Sequence, residues 1–371
     1  MSKSKTSSHT SQSIINLSTI LNARKEALDA DLKYVADNLI AETAEQFGEY
    51  PTQAVRAFID VLMRGGKRIR GSLAIETYKM FGGKEQDVII RAACALEMLN
   101  TYMLVADDIQ DRSLTRRGGK TAHIQLKEFH EKNHLKGDSQ HFGEATAISS
   151  FLIAQHYATN LLVNLPINDS VKVTILNNIN KCFVITGHGQ TLDIFCEAIQ
   201  DVSEQDIYNI LSWKTAYYTF INPLQLGALL AGATEQQIVP LAEYGLNAGR
   251  VFQLTDDIIG TFGEESETGK SPLDDIKEGK RTMLIVKALK NASDSDAYFL
   301  HSCLGNQDIT ISEFNRCKKI IINSGALEDT KQAASEAAKT AIKIVESNGE
   351  WPESSQNFFK DLVNYLLIRK S

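Results

Sequence analysis

Apolar residues along most of this chain recur at three- and four-residue spacings with few breakers between them, the pattern of helices that each bury one face. It predicts a first amphipathic helix from Ile14 to about Phe47, and a second that follows Pro51 with Thr52 as its cap. Gly65-Gly66 breaks the second, and Lys67-Arg-Ile-Arg70 stands at the mouth of another helical run closed by Phe81-Gly-Gly83. Ile89, Ala92, Ala93, Leu96, Leu99 and Met103 then keep helical register as an apolar stripe up to Asp107. Arg112 to Thr121 reads as a basic, glycine-containing loop, and Lys132 to Gly143 as a polar surface excursion. Helices are expected again at about 144–163, 170–199, 204–231 and 236–262, with Asp169-Ser170 and Ser203-Glu-Gln-Asp206 as start signals. Gly263 to Gly279 is expected to be a charged loop, and shorter helices fill the remainder, with Thr310-Ile-Ser-Glu313 as a capping box. No strand pattern, repeat or long linker stands out. The expectation is an all-α protein, with residues 1–13 a disordered tail and 14–371 a single domain.

Composition sharpens this reading. With 371 residues, 43% of them apolar, the chain can bury a sizeable core, and six prolines leave long stretches without a breaker. A formal charge of -7 argues against a nucleic-acid partner, whose footprint is a basic surplus. Five cysteines without a C-x-x-C pair read as reduced core thiols, so a cytoplasmic protein is expected. No apolar stretch is expected to span a bilayer. The Ser-, Thr- and Lys-rich start lacks the apolar segment of a secretory signal, and the absence of acids before Glu26 leaves an organellar targeting peptide as the alternative to a tail.

Chemistry concentrates where apolar runs end in acids. In Val105-Ala-Asp-Asp-Ile-Gln-Asp111, a helix puts Asp107 and Asp111 on one face, roughly 6 Å apart along the axis. Bare carboxylates repel there, and hard oxygen ligands in this number suit magnesium, which also keeps phosphate oxygens in its shell. Asp256 and Asp257 end a second apolar run, so the two acidic helix ends are expected to face each other across one cavity with a polar rim and an oily floor. Lys67, Arg70, Arg116, Arg117, Lys214, Lys270 and Lys280 lie beside glycines, in loops or at helix ends. Cations placed so in an acidic protein are suited to hold anions, and arginine forks match phosphate oxygens. His130-Glu-Lys-Asn-His134 has the H-E-x-x-H spacing of a zinc site, but polar residues and Gly137 follow at once, so the long supporting helix that zinc chemistry needs is not expected.

With these residues assembled, the sequence resembles the trans-isoprenyl diphosphate synthases, makers of farnesyl and geranylgeranyl diphosphate, from about Arg56 onward. The resemblance implies a single-domain isoprenoid-synthase-type helical bundle around a central cavity, and a homodimer. Gly65-Gly-Lys-Arg-Ile-Arg70 is similar to the family's opening signature, implying that Lys67 and Arg70 hold isopentenyl diphosphate. Glu97 through Asp111 resembles the first aspartate-rich motif; Asp107, Asp108 and Asp111 are then its metal ligands, Arg116 serves the allylic diphosphate, and Arg117 serves isopentenyl diphosphate. Gly189-Gln-Thr-Leu-Asp193, Lys214-Thr215 and Phe252-Gln253-x-x-Asp256-Asp257 are similar to further motifs. They imply that Lys214, Thr215 and Gln253 line the allyl group, that Asp256 and Asp257 bind metal, and that Lys270 and Lys280 hold the allylic diphosphate. Three magnesium ions are implied. Three positions depart from the pattern: Asn100 where His or Gln is usual beside isopentenyl diphosphate, Gly260 in place of the second motif's third aspartate, and Ser149-Ser150 where an acid is common.

The resemblance implies a magnesium-dependent head-to-tail (1'-4) condensation of isopentenyl diphosphate with an allylic diphosphate. The aromatic before the first motif is Tyr102 and the next residue is Met103, one ring where short-chain members often have two, which resembles the geranylgeranyl pattern. Farnesyl diphosphate is the alternative product. A class I terpene cyclase would share the aspartates but has no need of Lys67, Arg70 and Arg117, and a non-catalytic partner subunit would be expected to lose the aspartates kept here.

Overall fold

The computed structural model describes residues 3–263 and 272–369, with side chains from Leu17 onward. It is all-α, as expected; among the described residues the only strands are the two-residue pair Thr115–Arg116 and Gly119–Lys120. The chain forms two compact units, Ser18–Asn177 with Leu226–Ala233, and Met1–Leu17 with Asn178–Gln225 and Thr234–Ser371. One domain was expected over 14–371. Three of the four chain breaks between the units fall inside the Lys3–Phe47, Asp169–Ala198 and Asn222–Leu230 helices, and the fourth, between Ala233 and Thr234, falls just before the Glu235–Phe262 helix. The first helix begins at Lys3, within the segment expected to be a tail.

In the unit that begins at Ser18, the Gln86–Gln110 helix packs against Ile69–Met80, Glu49–Met63 and Ser139–Val163. Its burial exceeds the expected stripe: from Val88 to Thr101 every residue except Arg91 is buried, including Glu97 and Asn100. A helix hydrophobic all round belongs in a core. It is also long and apolar enough to cross a membrane, contrary to the expectation that no stretch was, and 78% of the apolar window is buried inside the protein. The Ser139–Val163 helix starts five residues before the expected 144, because the Asp138 side chain accepts from the backbone N–H groups of Gln140 and His141. Gly143, which punctuates the sequence like a loop residue, instead marks a close approach, since a Cβ there would lie 2.4 Å from the His123 carbonyl oxygen. Thr52 does not cap its helix; Gly48 does, and the Thr52 hydroxyl donates to the Gly48 carbonyl oxygen at 2.8 Å.

In the other unit, the Glu235–Phe262 helix packs against Ala326–Ser347, Glu353–Ile368 and a π-helical segment, Leu211–Ile221. Tyr244, fully buried on the long helix, donates its hydroxyl to the Phe359 carbonyl oxygen at 2.9 Å. The capping box expected at Thr310/Glu313 is formed, and the start signal at Ser203/Asp206 also closes into one.

Candidate active site

The acidic end of the Gln86–Gln110 helix is built as its spacing predicts. The Asp111 N–H donates to the Asp107 carbonyl oxygen at 2.8 Å, so the two are one turn apart. A helix C-terminus already carries partial negative charge, and three carboxylates add to it, so this end demands cations. One is supplied by Arg116, whose Nε donates to Asp108 at 2.7 Å and whose Nη2 reaches Asp107 at 3.3 Å. Burial alone would lower the Arg116 pKa, but Asp108 and Asp107 outweigh it and hold the guanidinium above its ordinary range. Its backbone is pinned by Arg64, which donates to the Arg116 and Lys120 carbonyl oxygens at 2.6 Å each. Arg64 was missed in the sequence because its role is to hold a hairpin that no strand pattern announces.

Arg117 follows at the tip of that hairpin, with φ 53 beside Gly118 at φ 71, the paired positive values of a tight primed turn. Left-handed backbone at a non-glycine residue is strained, and such strain clusters at functional sites. Burial pushes the Arg117 guanidinium down to about 10; Glu97 opposes this, and Arg68, Arg70 and Arg116 add to it. Its Nη1 has no hydrogen-bond partner. Asn100, one turn beyond Glu97 and 2% exposed, has neither its Nδ2 nor its Oδ1 bonded. Orphaned donors among crowded cations are costly, so the cluster suits a multiply charged anion with many acceptor oxygens.

The Lys67-to-Arg70 stretch divides its labour. Lys67 is exposed and Arg70 half-buried, whereas Arg68 turns inward to Asp29 at 2.8 Å, Glu97 at 3.3 Å and the Leu62 carbonyl oxygen at 2.9 Å. Glu97 also accepts the Gly71 N–H at 3.1 Å. Arg68 therefore fixes the turn. Below the acidic end, the helix emerges from full burial at Tyr102, whose ring meets Phe151 edge-on at 5.2 Å.

In the other unit, the π-helical segment carries Lys214 and Thr215, and π-helical turns are frequent at functional sites. Two glycines let neighbouring helices close on it: a Cβ at Gly189 would lie 2.3 Å from the Lys214 backbone nitrogen, and one at Gly249 would lie 2.3 Å from the Ala216 Cβ. Lys214 thereby reaches Asp193 at 2.6 Å. Thr215 donates to the Gln253 Oε1 at 2.9 Å, and the Gln253 amide donates to Asp257 at 2.9 Å. Asp257 is 7% exposed, and burial pushes its carboxyl up to about 8; the Gln253 bond opposes this, while Asp275, Asp256 and Asp193 add to it. A buried carboxyl facing carboxylates suits a cation-binding site. Asp256 is paired with Arg369, which also donates to the Phe252 carbonyl oxygen at 2.9 Å and lies 4.3 Å from the Phe252 ring centre. Lys280 pairs with Glu278 at 3.0 Å, and Lys270 lies outside the described residues.

Among the described residues no three His, Cys, Asp or Glu side chains are gathered into a ready-made metal cage. Carboxylates at each helix end fit magnesium nonetheless, because that ion is commonly held by one or two carboxylates, with water and phosphate oxygens completing its shell. The zinc motif fails on geometry. The Ala122–Lys132 helix ends before His134, which has φ 51, and His130 is buried against Phe142 with its Nε2 on the Lys136 carbonyl oxygen at 3.1 Å. Ser150, where an acid is common in the resembled family, bonds within its own helix to the Ala147 carbonyl oxygen at 2.8 Å.

Comparison with known proteins agrees with this chemistry. Residues 52–321 match the family model described as Polyprenyl synthetase. A geranylgeranyl diphosphate synthase of Sulfolobus acidocaldarius is 32% identical over 306 residues, covering 82% of this chain and 88% of its own. A geranylfarnesyl diphosphate synthase of Aeropyrum pernix is 27% identical over 320 residues, covering 86% of this chain and 95% of its own. A solved geranylgeranyl pyrophosphate synthase of Corynebacterium glutamicum, complexed with isoprenyl diphosphate and magnesium, matches with a TM-score of 0.89 at 29% identity, over 94% of this chain and 99% of that one.

Proposed function

The chain belongs to the polyprenyl synthetase family and is a prenyltransferase, and we propose that it joins isopentenyl diphosphate head to tail to an allylic diphosphate, with all-trans geranylgeranyl diphosphate as the main product. The observation that carries this reading is the basic cluster beside the first acidic helix end: Arg117 among Arg68, Arg70 and Arg116, with the unbonded amide of Asn100 one turn from Glu97. A terpene cyclase has one diphosphate to bind and no use for a second cationic cluster.

In the unit that begins at Ser18, Lys67, Arg70, Asn100 and Arg117 hold isopentenyl diphosphate, while Asp107, Asp108 and Asp111 hold magnesium. Arg116, already bonded to Asp108 and Asp107, offers its remaining donors to the allylic diphosphate. In the other unit, Asp256 and Asp257 hold magnesium, and Lys214, Thr215 and Gln253 face the allyl group. Lys270 and Lys280 steady the allylic diphosphate. Bound magnesium supplies charge neutralisation to the departing diphosphate. The Thr215–Gln253–Asp257 chain fixes the Gln253 amide so that its oxygen and the hydroxyl present partial negative charge to an allylic cation. No side chain is assigned as base; the departed diphosphate takes the proton. Three magnesium ions, a cytoplasmic setting and a homodimer complete the proposal. Ile148, Leu152 and Ile153 form an exposed apolar patch on the Ser139–Val163 helix that a second copy would cover.

Incubating the purified protein with magnesium, isopentenyl diphosphate and each allylic diphosphate in turn, then separating the products, tests the reading. A twenty-carbon diphosphate is expected; a cyclised hydrocarbon, or no condensation, overturns it. A fifteen-carbon product is the second reading, favoured by Phe151, which puts a second ring beside Tyr102.

A further inference from the structure

The Thr115–Arg116 and Gly119–Lys120 strands are two residues each, too short to hold a hairpin in place by their own pairing. The hairpin's base is tied by Thr121, whose N–H donates to the Leu114 carbonyl oxygen at 3.1 Å and whose hydroxyl donates to that of Ser113 at 2.9 Å. Nearer the tip the hold comes from outside, from Arg64. Its Nη1 donates to the Arg116 carbonyl oxygen and its Nη2 to that of Lys120, so one guanidinium spans both strands. The other end of this clamp is the Glu49–Met63 helix. Arg64 is that helix's C-cap, with its N–H on the Asp60 carbonyl oxygen at 3.1 Å, and its Nη2 pairs with the Asp60 carboxylate at 2.9 Å. Gln125 completes the joint, donating its amide to Asp60 and to the Lys120 carbonyl oxygen at 2.9 Å each.

Arg64 is also where the chain turns into Gly65-Gly-Lys-Arg-Ile-Arg70. That turn and the hairpin tip lie side by side, since a Cβ at Gly66 would lie 3.6 Å from the Arg117 Nη2. We infer that Arg64 is a positioning residue for isopentenyl diphosphate, clamping the hairpin so that Arg117 is held in fixed relation to Lys67 and Arg70. Arg116 needs the clamp less, because its side chain is anchored separately on Asp108 and Asp107. An ion pair as exposed as Arg64 with Asp60 contributes little by itself. Two carbonyl oxygens on one planar fork are different, because the fork sets a direction as well as a distance. The hairpin is shaped to admit that fork. A Cβ at Gly119 would lie 2.2 Å from the Arg64 Nη1, so glycine at 119 and arginine at 64 are one feature.

The inference rests on the proposed function, in which Arg117 takes isopentenyl diphosphate and Arg116 the allylic diphosphate, and its test keeps the two apart. Steady-state kinetics with each substrate varied, and calorimetric binding of isopentenyl diphosphate, are measured for wild type, Arg64→Ala, Arg64→Lys, Gly119→Ala and the Arg64→Ala/Gly119→Ala double variant. Arg64→Ala is expected to raise the KM and Kd for isopentenyl diphosphate by about 10- to 100-fold, the scale of a misplaced binding group. The allylic KM and kcat should change far less, a split that a general loss of structure would not produce. Lysine at 64, one ammonium in place of a fork, should recover only part of the loss. Gly119→Ala should reproduce the loss by displacing the guanidinium, yet add nothing in the Arg64→Ala background, where the group it displaces is gone. Should Arg64→Ala not fold, Gly119→Ala decides on the same constants. Equal rises in both KM values, additive effects of the two substitutions, or a wild-type Kd in Arg64→Ala overturns the inference while wild-type condensation leaves the function standing. Wild-type protein that neither binds isopentenyl diphosphate nor condenses it overturns both.

Discussion

Replacing Tyr102 with alanine should lengthen the product at a modest cost in stability. Tyr102 lies five residues before Asp107, about 7.5 Å along the helix axis, so it is the first bulky ring met by a chain growing back from the aspartates. Truncating a fully buried aromatic costs about 3–5 kcal/mol, and this half-buried ring should cost about 2. Of that, about 1 kcal/mol reflects the edge-on contact with Phe151 at 5.2 Å. With about 2.1 cal/mol/K of unfolding entropy per residue over 371 residues, the variant should melt about 3 °C lower. Product chromatography after matched turnover, together with a thermal melt, checks both parts. The main product should gain at least one five-carbon unit. An unchanged product distribution in a variant that melts as expected shows that Tyr102 packs between helices and is not the floor.

Asp107→Asn and Asp257→Asn should each cut turnover by orders of magnitude with helical circular dichroism retained. Burial pushes the Asp257 carboxyl up to about 8, which favours its neutral form without metal, so its asparagine variant should also keep the metal-free melting temperature. Wild-type turnover in Asp107→Asn would sink the metal assignment. His130→Ala with His134→Ala should leave the condensation rate intact, and stoichiometric zinc in the purified protein would contradict this. His123 is 2% exposed, and burial lowers its pKa below the usual 6.5, with Glu144 opposing. The unfolded chain therefore takes up the proton first, so wild-type stability should decline as pH falls through about 6.5. His123→Phe should flatten that decline between melts at pH 8 and pH 5.5; an equal decline would show that other groups cause it. Arg369→Ala should lower the magnesium concentration needed for half-maximal rate, because Arg369 competes for Asp256; a higher requirement would mean that Arg369 assists binding.

Periodicity and caps made most helices legible, because both are local. Ser203/Asp206 and Thr310/Glu313 declare their helix starts within four residues. What stayed hidden depends on distant partners. The full burial of Gln86–Gln110 looks in the sequence like one apolar stripe, since Glu97 and Asn100 seem to mark an outer face until Arg68 and Gly71 are found against Glu97. The π-helical register at Leu211–Ile221 has no local composition to announce it, and follows from helices held close at Gly189 and Gly249.

The site was legible in its charges and illegible in their division of labour. Aspartates at the ends of apolar runs stand out because nothing else explains them there, whereas Arg68 and Arg70 look equivalent in sequence. They part company because Asp29 and Glu97, 39 and 29 residues from Arg68, claim its guanidinium and leave Arg70 half-buried. The same reasoning turns Gly260 from a defect into a positional requirement. Read along the chain, it is a missing ligand, and restoring aspartate would seem to repair the motif. With the Asp275 oxygen 2.9 Å from the Cβ it would acquire, that repair brings two like charges into contact, so the substitution that completes the pattern on paper should be the one that destabilises the metal-free protein.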